Sequence, residues 1–163
     1  GSSIGVTIVE NENELNDAIA VAKDYDNNIL VEKYIKGREM TVAVMGKDDV
    51  TVLPIIEIVP HSGKYDYQSK YTKGATDYLV PAALSTEVSA KINLIAEKTF
   101  KTLGCKGVAR VDIMLDDQEN PYVLEVNTIP GMTATSLVPK AANAAGISFE
   151  DLCEKILLMA VDC

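Results

Sequence analysis

Two apolar stretches separated by a short polar turn constrain the fold of this chain most. The stretch KGVARVDIML, residues 106–115, is followed by the turn DDQEN and then by PYVLEVN, residues 121–127. Two β-rich runs on either side of a polar turn predict a β-hairpin. Charged residues interrupt both runs, and a charge in so apolar a strand is costly unless it is paired or ligated. We therefore expect the chemistry of the chain to lie on this hairpin.

Side-chain alternation groups the polar residues of the hairpin into faces. Arg110 and Asp112 share one face of the first strand, and Glu125 and Asn127 share one face of the second. If the two faces coincide, three hard oxygen ligands and one guanidinium converge, and this set suits Mg²⁺. A salt-bridge network of Arg110, Asp112 and Glu125 on a hydrated face explains the same pattern. The hairpin alone does not decide between the two interpretations.

The rest of the chain predicts a mixture of helices and strands. Strands are expected at residues 6–10 and within NNILVEKYIKG, and two or three more within residues 39–59. Asn11 and Glu14 predict the start of a helix in capping-box spacing. A longer helix is expected from about Ser85 to Leu103, with Gly104 as its stop, and a last one over residues 148–161.

Residues 60–81 lack any clear periodicity. This segment, PHSGKYDYQSKYTKGATDYLVP, is polar and rich in tyrosine. Loops of this length inside a compact domain are uncommon and often functional, whereas disordered linkers are poor in aromatic residues. The segment is therefore interpreted as a lid.

Net charge, cysteine content and apolar run lengths indicate which partners and which cellular environment to expect. The net charge of −9 over 163 residues argues against a nucleic-acid partner, which needs a clustered basic face. The three cysteines have no paired spacing, which favours reduced thiols in the cytoplasm. No apolar run approaches the length of a membrane helix, and no signal peptide is visible at the first residue, so no membrane partner is expected.

The segment after the second hairpin strand has the composition of an anion site. EVNTIPGMTATSLVP contains a glycine, several hydroxyl residues and the start of a predicted helix. Backbone N–H groups in such a segment suit a carboxylate or an oxyanion. An ordinary loop with capping hydroxyls has the same composition.

Five segments occur in order along the chain: GSSIGV, LVEKYIKGREMTV, YDYQSKY, TLGCKGVARVDIML and LEVNTIPGMTATSLVP. Together they resemble the D-alanine–D-alanine ligases of the ATP-grasp superfamily. The resemblance implies an α+β fold of ATP-grasp type, with antiparallel sheets flanked by helices and a long lid loop. It also identifies GSSIG as a native loop and not the remnant of a cleaved tag. It divides the chain into residues 1–46 (loop, helix and adenine hinge), 60–81 (lid) and 82–163 (metal and substrate binding).

The resemblance implies an ATP site. It assigns the adenine contacts to Glu32, Lys33 and Ile35, and the ribose hydroxyls to Glu39. Ordinary solvated charge at the ends of strands is the alternative for the two glutamates.

Four further residues are implied to bind the ATP phosphates or to belong to the catalytic set, which includes Ser2, Lys70 and Tyr71. Ser3 lies at the phosphates, Lys70 reaches the transferring phosphate, and Ser2 hydrogen-bonds the lid residue Tyr71. A mobile surface loop is the alternative for Lys70 and Tyr71.

The hairpin residues acquire roles from the same resemblance. Asp112, Glu125 and Asn127 are implied to hold two Mg²⁺ ions, with Mn²⁺ as a substitute and Glu125 bridging. Arg110 and the backbone N–H of Gly131 are implied to stabilise the tetrahedral intermediate. A further pair is implied to bind the carboxylate of the second substrate: Ser136 and Leu137.

The implied activity is ATP-dependent ligation of two D-alanines through an acyl phosphate, for peptidoglycan synthesis. Two alternatives are a non-catalytic nucleotide-binding module and a D-alanine–D-lactate ligase; the intact YDYQSKY segment argues against the second. The family also has an N-terminal domain with a substrate-orienting acid, and two phosphate-binding lysines upstream of the glycine loop. The chain is therefore expected to be part of a homodimeric ligase, and to be inactive alone.

Overall fold

The structure, a computed structural model, describes residues 4–61 and 74–161. The chain divides into two compact units. The smaller comprises Gly1–Ile35 and Pro60–Thr76, and the larger comprises Lys36–Val59 and Asp77–Cys163.

The smaller unit contains a 3₁₀ turn, Glu12–Glu14, that leads into helix α1, Leu15–Lys23. The side chain of Asn11 caps the turn by accepting the N–H of Asn13 at 3.1 Å, which confirms the predicted N-cap. Glu14 Oε2 accepts the N–H of Glu10 at 3.0 Å, one residue before the donor that a capping box uses. Helix α1 buries no side chain within the described residues.

The strands predicted at residues 6–10 and within 27–37 are wrong. Residues 6–9 and 29–36 have no regular secondary structure. A strand needs a partner for its backbone groups, and each segment leaves apolar side chains open to solvent. Val6 is 72 % exposed and Leu30 is 79 % exposed. Apolar composition was therefore not sufficient to specify a strand in this part of the chain.

The larger unit is built on one antiparallel sheet, which has six strands in the described residues. The strands are β1 Gly37–Gly46, β2 Val50–Val52, β3 Ile56–Pro60, β4 Thr76–Leu79, β5 Gly107–Asp116 and β6 Pro121–Asn127. The central strand β1 pairs with β2, β3 and β5, and the order across the sheet is β4–β3–β1–β5–β6. The antiparallel sheet with flanking helices agrees with the expected fold class.

Helix α2, Thr86–Thr102, covers one face of the sheet. Ser85 caps it by accepting the N–H of Val88, and Gly104 ends it at φ +65°. The N–H groups of Gly104 and Cys105 bond back to the last turn, as in a Schellman motif. Both predicted ends are confirmed. The helix packs on alternate residues of the central strands: Met40, Val42, Val44, Ala109, Val111, Ile113 and Leu115.

Two shorter helices complete the larger unit. Helix α3, Leu137–Ala144, packs against β1, and α4, Phe149–Val161, packs against β5. Ser148 Oγ accepts the N–H of Asp151 at 3.0 Å and caps α4, so this helix begins where the sequence predicted it. No helix in the described parts of the chain is long and apolar enough to cross a membrane.

A β-bulge in β6 lies beside the polar hairpin residues. Asp112 pairs with Glu125, but Ile113 pairs with Val123, so Leu124 is an extra residue in β6. Val123 and Val126 lie three positions apart, yet both pack against the core under α2. The bulge therefore lets β6 keep both valines on the apolar face.

The segment 60–81 is more regular at its ends than the sequence indicated. Pro60 ends β3, and Thr76–Leu79 forms β4 beside it. The backbone N–H of His61 also bonds the carbonyl of Ala75 at 2.9 Å. Residues 62–73, the centre of the predicted lid, lie outside the described residues.

Asp116 organises the hairpin turn. Its Oδ1 accepts the backbone N–H groups of Gln118 at 2.9 Å and Asn120 at 2.8 Å. These bonds, chiefly the one from Asn120, hold the pKa of the Asp116 carboxyl below its ordinary value. Glu119 adopts φ +60° in the same turn.

Asp116→Asn is expected to destabilise the protein near neutral pH but not in acid. Because the pKa is lowered in the folded state, the ionised carboxylate contributes stability above its unfolded pKa of about 4. That contribution is lost as the pH falls through the folded pKa. Denaturant unfolding should show a gap between the parent and Asp116→Asn at pH 7 that closes toward pH 3. Asp117→Asn, which removes a charge without these bonds, is the control, and an equal gap for both variants would contradict the prediction.

Candidate functional site

The hairpin brings the four predicted polar residues to one face of the sheet. Asp112 pairs directly with Glu125, and Arg110 pairs with Asn127. Residues paired across antiparallel strands share a face, with Cβ atoms about 5 Å apart. The convergence expected from side-chain alternation is therefore present.

Asp112 is buried and held from two sides. Asp112 as a whole residue is 7 % exposed. The hydroxyl of Thr41 donates to Oδ1 at 2.6 Å from β1, and Arg110 donates from Nε and Nη2, both at 2.9 Å. These bonds fix both the carboxylate and the plane of the guanidinium.

Glu125 is exposed and lies opposite Asp112 in the register of β5 and β6. Its side chain makes no hydrogen bond or ion pair with another side chain among the described residues. The ion pair of Arg110 and Asp112, one part of the salt-bridge alternative, is present. The exposed Glu125 carboxylate therefore lies on the same face as the buried carboxylate of Asp112.

Thr41 is a site residue that the sequence reasoning missed. It is 1 % exposed and lies opposite Asp112 in the register of β1 and β5. A threonine two positions after Glu39, in the apolar run EMTVAV, was the available signal. Glu39 lies on the same face of β1, opposite Met114.

The side-chain oxygens of Asp112, Glu125 and Asn127 are of the type that binds a divalent metal ion. Two carboxylates and one amide oxygen are hard ligands of the sort that Mg²⁺ binds. No group of three or more His, Cys, Asp or Glu side chains able to hold a metal occurs in the described residues. The hairpin set is consistent with this, because its third member is Asn127. Asn127 Oδ1 also accepts the N–H of Ile129 at 3.2 Å.

The loop between β6 and α3 brings Gly131 close to Ser136. A Cβ atom on Gly131 would lie 2.9 Å from Ser136 Oγ, which is too close for a side chain without movement. Ser136 Oγ accepts the backbone N–H of Thr133 at 3.0 Å and lies 2.8 Å from the Thr133 hydroxyl. Gly131 and Ser136 therefore lie together, as the predicted anion site requires.

The start of α3 carries no side-chain cap. Ser136 is the N-cap residue, but its hydroxyl makes no capping bond to the helix. Leu137 and Val138 are the first residues of the helix, and Pro139 has no N–H. Uncapped N–H groups at a helix start favour a negatively charged ligand.

The predicted adenine residues lie in the smaller unit. Glu32 and Lys33 are exposed, and Ile35 is half-buried, in a segment without regular secondary structure. Four predicted residues lie outside the described part of the chain: Ser2, Ser3, Lys70 and Tyr71.

The family model described as D-ala D-ala ligase C-terminus matches residues 1–158. The D-alanine–D-alanine ligase of Pelotomaculum thermopropionicum is 49 % identical over 162 residues, covering 99 % of this chain and 51 % of the relative. The D-alanine–D-alanine ligase of Carboxydothermus hydrogenoformans is 51 % identical over 163 residues, covering 99 % and 52 %.

Solved structures show the same likeness. The D-alanine–D-alanine ligase of Bacillus anthracis complexed with ATP matches with a TM-score of 0.81 and 38 % identity, over 98 % of this chain and 51 % of that one. The VanG D-Ala:D-Ser ligase of Enterococcus faecalis matches with a TM-score of 0.83 and 36 % identity, over 98 % and 46 %. The chain spans about half the length of the curated relatives it matches.

Proposed function

This chain belongs to the D-alanine–D-alanine ligase C-terminal family, and we propose that it forms the C-terminal half of an ATP-dependent D-alanine–D-alanine ligase. The observation that carries the proposal is the register of β5 and β6, which sets Asp112 opposite Glu125 and Arg110 opposite Asn127. The product, D-alanyl-D-alanine, would serve peptidoglycan synthesis. A homodimer in the cytoplasm is part of the same proposal and rests on the family resemblance.

The proposed reaction has two steps. A carboxylate oxygen of the first D-alanine attacks the γ-phosphorus of ATP, and ADP leaves. The neutral amine of the second D-alanine then attacks the acyl carbon of the acyl phosphate. The bond from that carbon to the phosphate oxygen breaks, and inorganic phosphate leaves with the proton that the nitrogen loses. Positioning and charge neutralisation dominate the catalysis of such phosphoryl transfer.

We assign metal binding to Asp112, Glu125 and Asn127. Their hard oxygen donors suit Mg²⁺ and also Mn²⁺. A divalent ion held by these residues would neutralise negative charge on the phosphate oxygens. The exposed carboxylate of Glu125, which lies opposite Asp112, and the fixed carboxylate of Asp112 support the assignment.

Arg110 and Gly131 are assigned to the tetrahedral intermediate. The bidentate bonds to Asp112 hold the Arg110 guanidinium in one orientation. A preorganised cation of this kind stabilises developing negative charge at little reorganisation cost. The backbone N–H of Gly131 is the proposed second donor.

The carboxylate of the second D-alanine is assigned to the start of α3. Ser136 and the N–H of Leu137 are the proposed contacts, and the absence of a side-chain cap there supports them. This arrangement favours a second substrate that carries a negative charge.

The nucleotide is assigned to the remaining predicted residues. Adenine would contact Glu32, Lys33 and Ile35, and Glu39 would bind the ribose hydroxyls. Ser3 and Lys70 are assigned to the phosphates. Ser2 and the lid residue Tyr71 are assigned to the catalytic hydrogen-bonded set, which Lys70 joins.

D-Serine and D-lactate are the competing second substrates. One solved relative is described as a D-Ala:D-Ser ligase, at 36 % identity. The two D-alanine–D-alanine ligases described above are 49 % and 51 % identical to this chain. This higher identity favours D-alanine as the second substrate. A non-catalytic nucleotide-binding module would not require a fixed cation such as Arg110.

Phosphate release by the full-length ligase is expected with ATP, Mg²⁺ and D-alanine. D-Serine or D-lactate, added with limiting D-alanine, should give little mixed product by mass spectrometry, and L-alanine should give none. The isolated 163-residue chain should not turn over, because ATP phosphates need more positive charge than it carries. Faster mixed ligation with D-serine or D-lactate would overturn the substrate assignment. Turnover by the chain alone within tenfold of the full-length enzyme would overturn the division of roles.

A further inference from the structure

Lys140 lies over the ring of Tyr78, with its Nζ atom 5.1 Å from the ring centroid. Such a distance is within the range of a cation–π interaction. Lys140 is on α3 and Tyr78 is on β4, and both side chains are half-buried. The contact therefore joins two elements that are 62 residues apart in the chain.

The position of Lys140 is unfavourable for the helix itself. It is the fourth residue of α3, near the positive end of the helix dipole, and the first turn holds no acidic residue. Its backbone N–H bonds the carbonyl of Ser136 at 3.2 Å, so the two residues lie one turn apart on one side of the helix. Long side chains on a helix point back toward its N-terminus. Lys140 thus adds positive charge to an end that is already positive.

We propose that Tyr78 positions the Lys140 ammonium near the start of α3, where its charge helps to bind the carboxylate of the second amino acid. Lys140 then determines specificity for an anionic second substrate, and Tyr78 is a positioning residue that acts through it. This inference rests on the proposed ligase function, because it concerns the carboxylate site at Ser136 and Leu137. The ring face of Tyr78 offsets the cost of holding a cation at this helix end.

Five variants of the full-length ligase test the pair. Lys140→Met removes the charge and keeps an apolar stem, and Lys140→Arg keeps the charge. Tyr78→Leu removes the ring, and Tyr78→Phe keeps it. Lys98→Met is the control, because Lys98 is an exposed lysine of α2.

Initial rates of phosphate release over a wide range of D-alanine concentration yield separate Michaelis constants for the two amino acids. Lys140→Met and Tyr78→Leu should raise the second constant about tenfold, the effect of losing one charge-assisted contact. The first constant should stay within about twofold of the parent. Lys140→Arg, Tyr78→Phe and Lys98→Met should resemble the parent. The difference in the second Michaelis constant between Lys140→Met and the parent should become smaller at high salt, because salt screens the charge of Lys140.

Two results would overturn the role of Lys140. One is a second constant in Lys140→Met within about twofold of that in Lys98→Met. The other is an equal rise of both constants together with a lower melting temperature, which indicates a purely structural contact. Activity of the unaltered ligase with D-alanine reports separately on the proposed function, so the two failures are distinguishable.

Discussion

Glu125→Gln in the full-length ligase is expected to lower D-alanine-dependent phosphate release about 10³-fold and to leave the fold unchanged. A metal ligand supports several kcal/mol of charge stabilisation, and about 4 kcal/mol corresponds to 10³ in rate. Glutamine keeps the shape of the side chain but loses the negative charge. Glu125 is exposed on β6, so the free energy of unfolding should change by less than about 0.5 kcal/mol.

Glu119→Gln is the matched control for this variant. It makes the same chemical change at an exposed position in the turn of the same hairpin. Rates should be compared at saturating ATP over a range of Mn²⁺ concentrations, with binding of Mn²⁺ measured separately by its paramagnetism. Glu125→Gln should bind Mn²⁺ more weakly than Glu119→Gln. Turnover of Glu125→Gln within tenfold of the control would remove Glu125 from the metal site.

Arg110→Ala is expected to damage both the fold and the activity. The Arg110 and Asp112 side chains are 20 % and 10 % exposed, so removal of the guanidinium leaves a nearly buried carboxylate without its ion-pair partner. Breaking such a pair costs about 3 kcal/mol of unfolding free energy. Turnover should fall by at least about 10², because the cation assigned to the intermediate is lost. Denaturant unfolding and phosphate release measure the two effects separately.

A double variant separates the structural role of Arg110 from its proposed catalytic role. Arg110→Ala with Asp112→Asn removes the unpaired charge and should recover part of the lost stability, but no activity. Arg38→Ala is the control. Arg38 makes a similar bidentate pair with Glu57, at 2.7 and 2.6 Å, but its side chain is 40 % exposed. Because the Glu57 carboxylate left behind is also only 10 % exposed, Arg38→Ala should lose a comparable amount of stability but keep its turnover. Equal loss of turnover in both arginine variants would show that activity follows stability alone.

The sequence predicted those helices and strands whose ends are marked by nearby capping or turn residues. Helix α2 begins at the Ser85 cap and ends at Gly104, and both signals lie within a few residues of the helix. The hairpin of β5 and β6 was likewise predictable, since its turn and alternation are local. The family itself was recognisable because five segments occur in order along the chain, and the match over residues 1–158 confirms it.

Features that depend on distant partners were not predictable in this way. β4, Thr76–Leu79, lies in a polar segment and becomes a strand through its neighbour β3. Leu30 and Val31 have strand-like composition but lie exposed outside any strand. The Thr41 hydrogen bond depends on the register between β1 and β5, which joins residues 71 positions apart. Alternation within one strand carries no information on which strand lies beside it.

The extra residue Leu124 also affects whether the edge strand β6 can pair with a strand of another molecule. Within the described residues, β6 is the last strand of the sheet, and such a strand offers backbone groups to any second strand that approaches. A bulge increases the local twist and interrupts the even spacing that an added strand must match. Loss of Leu124 would still leave Val123 and Val126 on one face and Glu125 and Asn127 on the other. A β6 without the bulge would keep the polar face of the hairpin. Its regular edge would, however, accept a strand from a second molecule more readily, and the protein would tend to self-associate and aggregate.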